Sequence, residues 1–197
     1  RDDPLAHAAS LGYSEEELKS VPAEAVVCHG CGNAVARARL RAGEAVVDLG
    51  CGAGLDALLA ARQVGPRGHV IGVDIGLDLV KRANAAARKA NLENVQFKQA
   101  PIERLPLADG SMDVAISNCV MNQCADKLQG FREVFRVLRS GGRFCLSDLV
   151  TSGTFSETAL KDDVWGEWLK TALGKAEYLR AIEQAGFQEV TVDGEAT

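Results

Sequence analysis

The sequence predicts an α/β fold: a doubly wound, mostly parallel sheet with helices on both faces. Three observations carry this expectation. Short β-branched runs alternate with longer helical stretches from Val46 onward, and alternation at this spacing implies right-handed crossover units. Turn formers fall between the runs, as Gly65-Pro66-Arg67-Gly68, Asn91 to Asn94 and Ser140-Gly141-Gly142. A glycine-rich stretch, Gly50-Cys51-Gly52-Ala53-Gly54, follows the first run, where a strand must turn tightly into a helix.

Taken in order, the expected strands are Val46–Leu49, His69–Asp74, Val95–Gln99, Val114–Asn118, Arg143–Asp148 and Val190–Val192. The expected helices between them are Gly54–Val64, Leu77–Ala90, Lys127–Leu138 and Lys175–Ala185. Before Val46 the pattern changes. Ser14-Glu15-Glu16-Glu17 reads as a capping box that opens a short acidic helix. Residues 1–40 are expected to form a helical appendage over the carboxyl edge of the sheet and to contribute to a substrate site. Residues 41–197 are expected to form the cofactor-binding domain. The chain begins at Arg1 rather than Met and reaches Thr197 without a seventh strand. The expectation is therefore of a trimmed N-terminus and of a missing seventh strand and C-terminal part.

The composition suits one soluble domain of 197 residues, with 47% hydrophobic and 25% charged residues. A net charge of −5 with no basic run argues against nucleic acid and for a small-molecule substrate. No apolar run matches a membrane span and no signal peptide opens the chain. Six cysteines read as reduced thiols of a cytoplasmic protein, some able to hold a soft metal or metalloid. Cys51 and Cys145 also suit a role as small buried apolar residues.

The chemistry starts at Val46-Val47-Asp48-Leu49-Gly50-Cys51-Gly52-Ala53-Gly54. Glycines let a backbone approach a ligand closely. Asp48, just before them, is placed to hold a cationic amino group. Asp74 closes Val70-Ile71-Gly72-Val73-Asp74-Ile75, about 20 positions beyond the glycine turn, where an acid accepts ribose hydroxyls. Separately, Asp74 reads as a helix N-cap and Asp48 as a solvated strand end; together they point to a ligand. A nicotinamide dinucleotide fits poorly, because the spacing is not G-x-G-x-x-G and an acid before the turn would repel a pyrophosphate. Over residues 41–192 this pattern resembles the class I S-adenosylmethionine (SAM)-dependent methyltransferases, whose fold is Rossmann-like. The resemblance implies that Asp48, Gly50, Cys51, Gly52 and Gly54 line the methionine half of SAM. It likewise implies Asp74 on the ribose, Ile75, Ile102 and Glu103 on the adenine, and Asn118 on the methionine portion.

The acceptor is a separate question. None of His7, His29 and His69 stands out as a general base. Sulfur converges instead: Cys119 follows the fourth strand, where ligands of open α/β sheets bind, and Cys31 lies in the appendage expected to cover the same edge. Leu11-Gly12-Tyr13-Ser14 with Glu17-Leu18, Gly30-Cys31-Gly32-Asn33, Ser117-Asn118-Cys119-Val120-Met121-Asn122 and Asp126-Lys127 resemble the arsenite methyltransferases. The resemblance implies a detoxifying transfer of methyl from SAM to trivalent arsenic held by Cys31 and Cys119. Softness favours thiolates as ligands of As(III), and in-line alignment needs no base. Glutathione or thioredoxin would reduce pentavalent products.

One departure stands out. Trp165-Gly166-Glu167 is followed by Trp168, where the family carries a further cysteine. Three readings follow: a two-thiol site preferring methylarsenite or another organic trivalent arsenical, with Trp168 packed on the organic group; a third thiol from Cys28 or Cys124; or methylation of a small organic acceptor of quinone or natural-product type. A SAM-binding arsenical sensor without turnover is the reading from outside enzymology. Cys28-His29-Gly30-Cys31 also has the spacing of half a zinc site, without a matching second pair, and of a disulfide that oxidation would close. Residues 151–171 are expected to form a mobile lid.

Overall fold

A computed structural model describes residues 3–27, 30–151 and 171–195. Five strands, β1 (Ala45–Leu49), β2 (His69–Asp74), β3 (Val95–Gln99), β4 (Met112–Asn118) and β5 (Leu138–Ser147), form one parallel sheet in the order β3-β2-β1-β4-β5. The helices among the described residues are α1 (Pro4–Ser10), α2 (Glu15–Ser20), α3 (Ala34–Ala38), α4 (Leu55–Val64), α5 (Leu77–Lys89), α6 (Lys127–Val137) and α7 (Lys175–Gln184). This is the doubly wound parallel architecture expected from the alternation. Side-chain alternation along β1 sorts two cores. Val46 faces one built from α3, α4, α5 and the N-terminal segment. Ala45, Val47 and Leu49 face a second built from α6 and α7.

Residues before β1 do more than lie over an edge. Ala8, Leu18, Val21, Ala25, Val35 and Ala38 are buried in the same core as α4 and α5, and α3 packs across β4 and β5. The capping box is present: Ser14 Oγ accepts the Glu17 amide at 3.2 Å, while the Ser14 amide donates to Glu17 Oε2 at 2.7 Å. The turn before α3 and the link between α1 and α2 reach the carboxyl ends of the strands, where Cys31, Gly32 and Tyr13 bond Asn118.

Two sequence expectations need correction. Val190–Val192 is not a strand but irregular chain; Val190 packs on the second core and Val192 is 48% exposed. Strands are held by their ladders, and no described strand pairs with this run, so β-branching alone leaves it irregular. The fifth strand begins at Leu138 directly after α6, so Ser140-Gly141-Gly142 is not a loop. Gly141, at φ 76°, accommodates the register shift opposite Met112 and Val114 as a bulge.

Candidate active site

The sheet order reverses between β1 and β4, and their carboxyl ends open the crevice where ligands of such sheets bind. β1 delivers Asp48 and then the glycine turn into it. Gly54, at φ 99°, has no room for a side chain, since a Cβ there would stand 2.9 Å from Phe97 Cζ. A Cβ on Gly52, at φ 53°, would meet nothing within 4 Å. A Cβ on Gly50 would stand 2.4 Å from Val120 Cγ2, so the turn is packed at both ends and open at its middle, the cradle a ligand needs.

Asp48 is 2% exposed, and its Oδ2 has no hydrogen-bond partner. Burial, with the charge of Asp56 adding to it, pushes its carboxyl well above the usual range; only the Ala57 amide opposes this. A buried carboxylate with an open oxygen asks for a cation, and the ammonium of SAM meets that demand. The residues present therefore fit the cofactor. Asp74 stands across the turn, its Oδ2 accepting the Gly52 amide at 2.9 Å and its Oδ1 the Gly76 amide at 2.8 Å. Ile75 is 73% exposed beside it, an apolar surface available to a flat ring. Ile102 is buried in the second core, and Glu103 accepts the Ala125 amide at 2.8 Å. The Cys51 thiol points into the core beside Gly72, and burial drives its pKa upward.

The structure brings Cys31 and Cys119 together. Each thiol bears on the other, lowering the Cys31 pKa and raising that of Cys119, with burial reinforcing the latter. Cys119 has left-handed backbone geometry, φ 60°, and its amide donates to the Ser147 carbonyl at 2.7 Å. This fixes the residue at the end of β4 and turns its side chain toward the N-terminal loop. The Cys31 sulfur also lies 3.7 Å from Ser147 Oγ. Cys124 is buried under α6, where a Cβ on Gly130 would stand 3.3 Å from its sulfur; burial pushes its thiol up to about 12. Cys28, Trp165 and Trp168, and the 151–171 lid apart from its two end residues, lie outside the described residues.

Sequence reasoning missed two acids beside the thiol site, buried Asp56 and half-buried Asp148. Asp56, in the first turn of α4, accepts the Tyr13 hydroxyl at 2.6 Å, and burial raises its carboxyl to about 6. The Asn118 amide belongs to the same network. Its Nδ2 donates to the Gly32 carbonyl at 2.6 Å and to Tyr13 Oη at 3.1 Å, and its Oδ1 accepts the Cys31 amide at 3.0 Å. Asp148, just past β5, accepts the Tyr178 hydroxyl at 2.7 Å and the Asn122 amide at 3.1 Å; burial raises its pKa. Among the described residues no group of three or more His, Cys, Asp or Glu could hold a metal ion, and no helix is long and apolar enough to cross a membrane.

A parallel sheet with an acidic glycine turn at its switch point and an acid closing β2 defines a class I SAM-dependent methyltransferase. The chain belongs to the methyltransferase-domain family, whose model matches residues 40–186. The resemblance to arsenite methyltransferases holds across most of its length. An arsenite methyltransferase of Halobacterium salinarum is 40% identical over 183 residues, 92% of this chain and 47% of the relative. One from Aquipseudomonas alcaligenes is 38% identical, covering 82% of this chain and 48% of the relative. The crystal structure of an arsenic(III) S-adenosylmethionine methyltransferase from Chlamydomonas reinhardtii superposes with a TM-score of 0.68 at 32% identity, over 94% of this chain and 62% of that one. The chain thus spans about half the length of the curated relatives it matches.

Proposed function

We propose that this chain transfers a methyl group from SAM to trivalent arsenic, with methylarsenite or another organic trivalent arsenical as the preferred acceptor. The observation that carries this reading is the convergence of Cys31 and Cys119 on Ser147, at the carboxyl ends of β4 and β5. SAM, when bound, supplies an electrophilic methyl on its sulfonium. Asp48 would take the ammonium on its open oxygen, with Gly50, Gly52 and Gly54 lining the same end. Asp74 would take the ribose hydroxyls, and Ile75, Ile102 and Glu103 the adenine side.

The two sulfurs replace two hydroxyl groups of the arsenical, each thiol proton leaving with a hydroxyl as water. Arsenic keeps its lone pair and its oxidation state in this step. The lowered pKa of Cys31 favours the first As–S bond, and that bond brings the arsenic onto Cys119. With two protein thiols, the third position on arsenic is left for an organic group. Trp168, where relatives are expected to carry a cysteine, supports that preference as an apolar partner for the group. Cys124 is read as a core thiol and Cys28 as an auxiliary one. Residues 1–40 contribute the thiol loop and residues 41–197 the SAM-binding unit. Glutathione or thioredoxin would restore trivalent product, consistent with a reducing cytoplasmic setting.

The test is release of S-adenosylhomocysteine with arsenite, methylarsenite and a phenylated arsenical, in the presence of reductant. Methylarsenite or the phenylated compound should turn over faster than arsenite. No release with any of the three overturns the reading, and binding without release would make the chain a sensor. Cys119→Ser should abolish release while SAM still binds.

A further inference from the structure

The thiol turn does not stand alone above the sheet. The Asn118 amide has two N–H groups and spends them on the Gly32 carbonyl at 2.6 Å and Tyr13 Oη at 3.1 Å, with Asp56 Oδ2 a further 3.4 Å neighbour. Its oxygen accepts the Cys31 amide. Which way this amide faces is decided by Tyr13, whose hydroxyl gives its proton to Asp56 and so presents a lone pair to Nδ2. Tyr13 is 3% exposed and Asp56 8%, so water cannot readily replace either bond. Three elements are joined: the first turn of α4, the link between α1 and α2, and the end of β4. Loss of any contact leaves a buried polar group without its partner.

We propose that Tyr13 and Asp56 are positioning residues of the thiol site: they orient the Asn118 amide, which holds the Gly30-Cys31-Gly32 turn so that Cys31 meets Cys119. The proposal rests on the thiol-site reading above. Asp56 sits two residues beyond the glycine turn, so the strap starts on the helix that the cofactor site also uses. Neither side chain is required to touch the acceptor. Their effect is on the distance between two sulfurs, which a two-thiol ligand senses and SAM does not.

The experiment compares Tyr13→Phe, Asp56→Asn and Asp56→Leu in the full chain under reductant. Phenylarsine oxide, which bridges neighbouring thiols, and SAM are titrated separately by calorimetry, and the rate of Cys31 alkylation by N-ethylmaleimide is followed by mass spectrometry. Tyr13→Phe and Asp56→Leu should weaken phenylarsine oxide binding about ten-fold, the worth of one buried hydrogen bond, while the SAM affinity of Tyr13→Phe changes less than about two-fold. Asp56→Asn keeps an acceptor for the Tyr13 hydroxyl and should stay within about three-fold of the parent. Unchanged phenylarsine oxide affinity in Tyr13→Phe, or parallel losses for both ligands, overturns the proposal. If Asp56→Leu does not fold, Tyr13→Phe decides. Equal phenylarsine oxide binding by the parent and Cys119→Ser would defeat the two-thiol reading instead. The strap is then judged on alkylation, which Tyr13→Phe should accelerate; an unchanged rate overturns it.

Discussion

At the scale of single residues, the site divides into groups that sequence position announces and groups that only burial creates. Asp48, the glycines and Asp74 are legible because their spacing from the ends of two strands is itself the signal. Cys119 is legible for the same reason. Asp56 is not, because an acid in the first turn of a helix reads as a partner for the helix dipole, and its burial depends on Tyr13, 43 positions away. Tyr178 and Asp148 meet across 30 positions and escaped for the same reason. The six cysteines also separate here. Cys124 lies in the second core with Met121 and Ile102, its sulfur near Gly130, so Cys124→Ala should cost about 1 kcal/mol of stability and leave methyl transfer near the parent rate. Denaturant unfolding and the S-adenosylhomocysteine assay check the two halves; loss of transfer in a folded variant would make Cys124 a ligand.

At the scale of elements, periodicity located all five observed strands and four of the helices, with ends displaced by a few residues. α4 is buried on nearly every side, Leu55, Asp56, Ala57, Leu58, Leu59, Ala60, Ala61 and Val64 all being covered. A helix so enclosed must enter at a fixed angle, and Gly54 sets it. Gly54→Ala adds a methyl against Phe97 and Ala83 in a backbone conformation that disfavours it. The expected result is a loss of about 2 kcal/mol or more in urea unfolding, with SAM affinity falling in step. Retained affinity would show that the cradle tolerates a different entry. The run Val190-Thr191-Val192 gives the opposite lesson: its residue types favour a strand, but strand formation needs a neighbour that composition cannot supply.

At the scale of the molecule, the buried acids shape stability against pH. Asp56 ionises near 3.8 in an unfolded chain and at about 6 in the fold. Its contribution is present in full below 3.8 and is lost as pH rises through about 6. Glu44 and Glu133 run the other way, because Arg143 and Arg136 hold their carboxyls low, and their contribution is lost as pH falls. Asp56→Asn removes only the first effect. Its stability relative to the parent should therefore rise between about pH 4 and pH 7 and then level off, as read from urea midpoints. A constant difference across that range would show that Asp56 does not titrate between the two values. Glu17 adds to burial in opposing the ionisation of Asp56.

The contact between the thiol turn and the sheet bears on how such a protein could change its chemistry over generations. A methyl at position 30 would stand 2.6 Å from Asn118 Cγ, and one at position 32 would overlap Ser147 Oγ. Small mutational steps beneath the sulfurs therefore each require Asn118 or Ser147 to move with them. Divergence toward a new acceptor is less constrained among residues that approach the sulfurs from the opposite side, where no such paired change is needed.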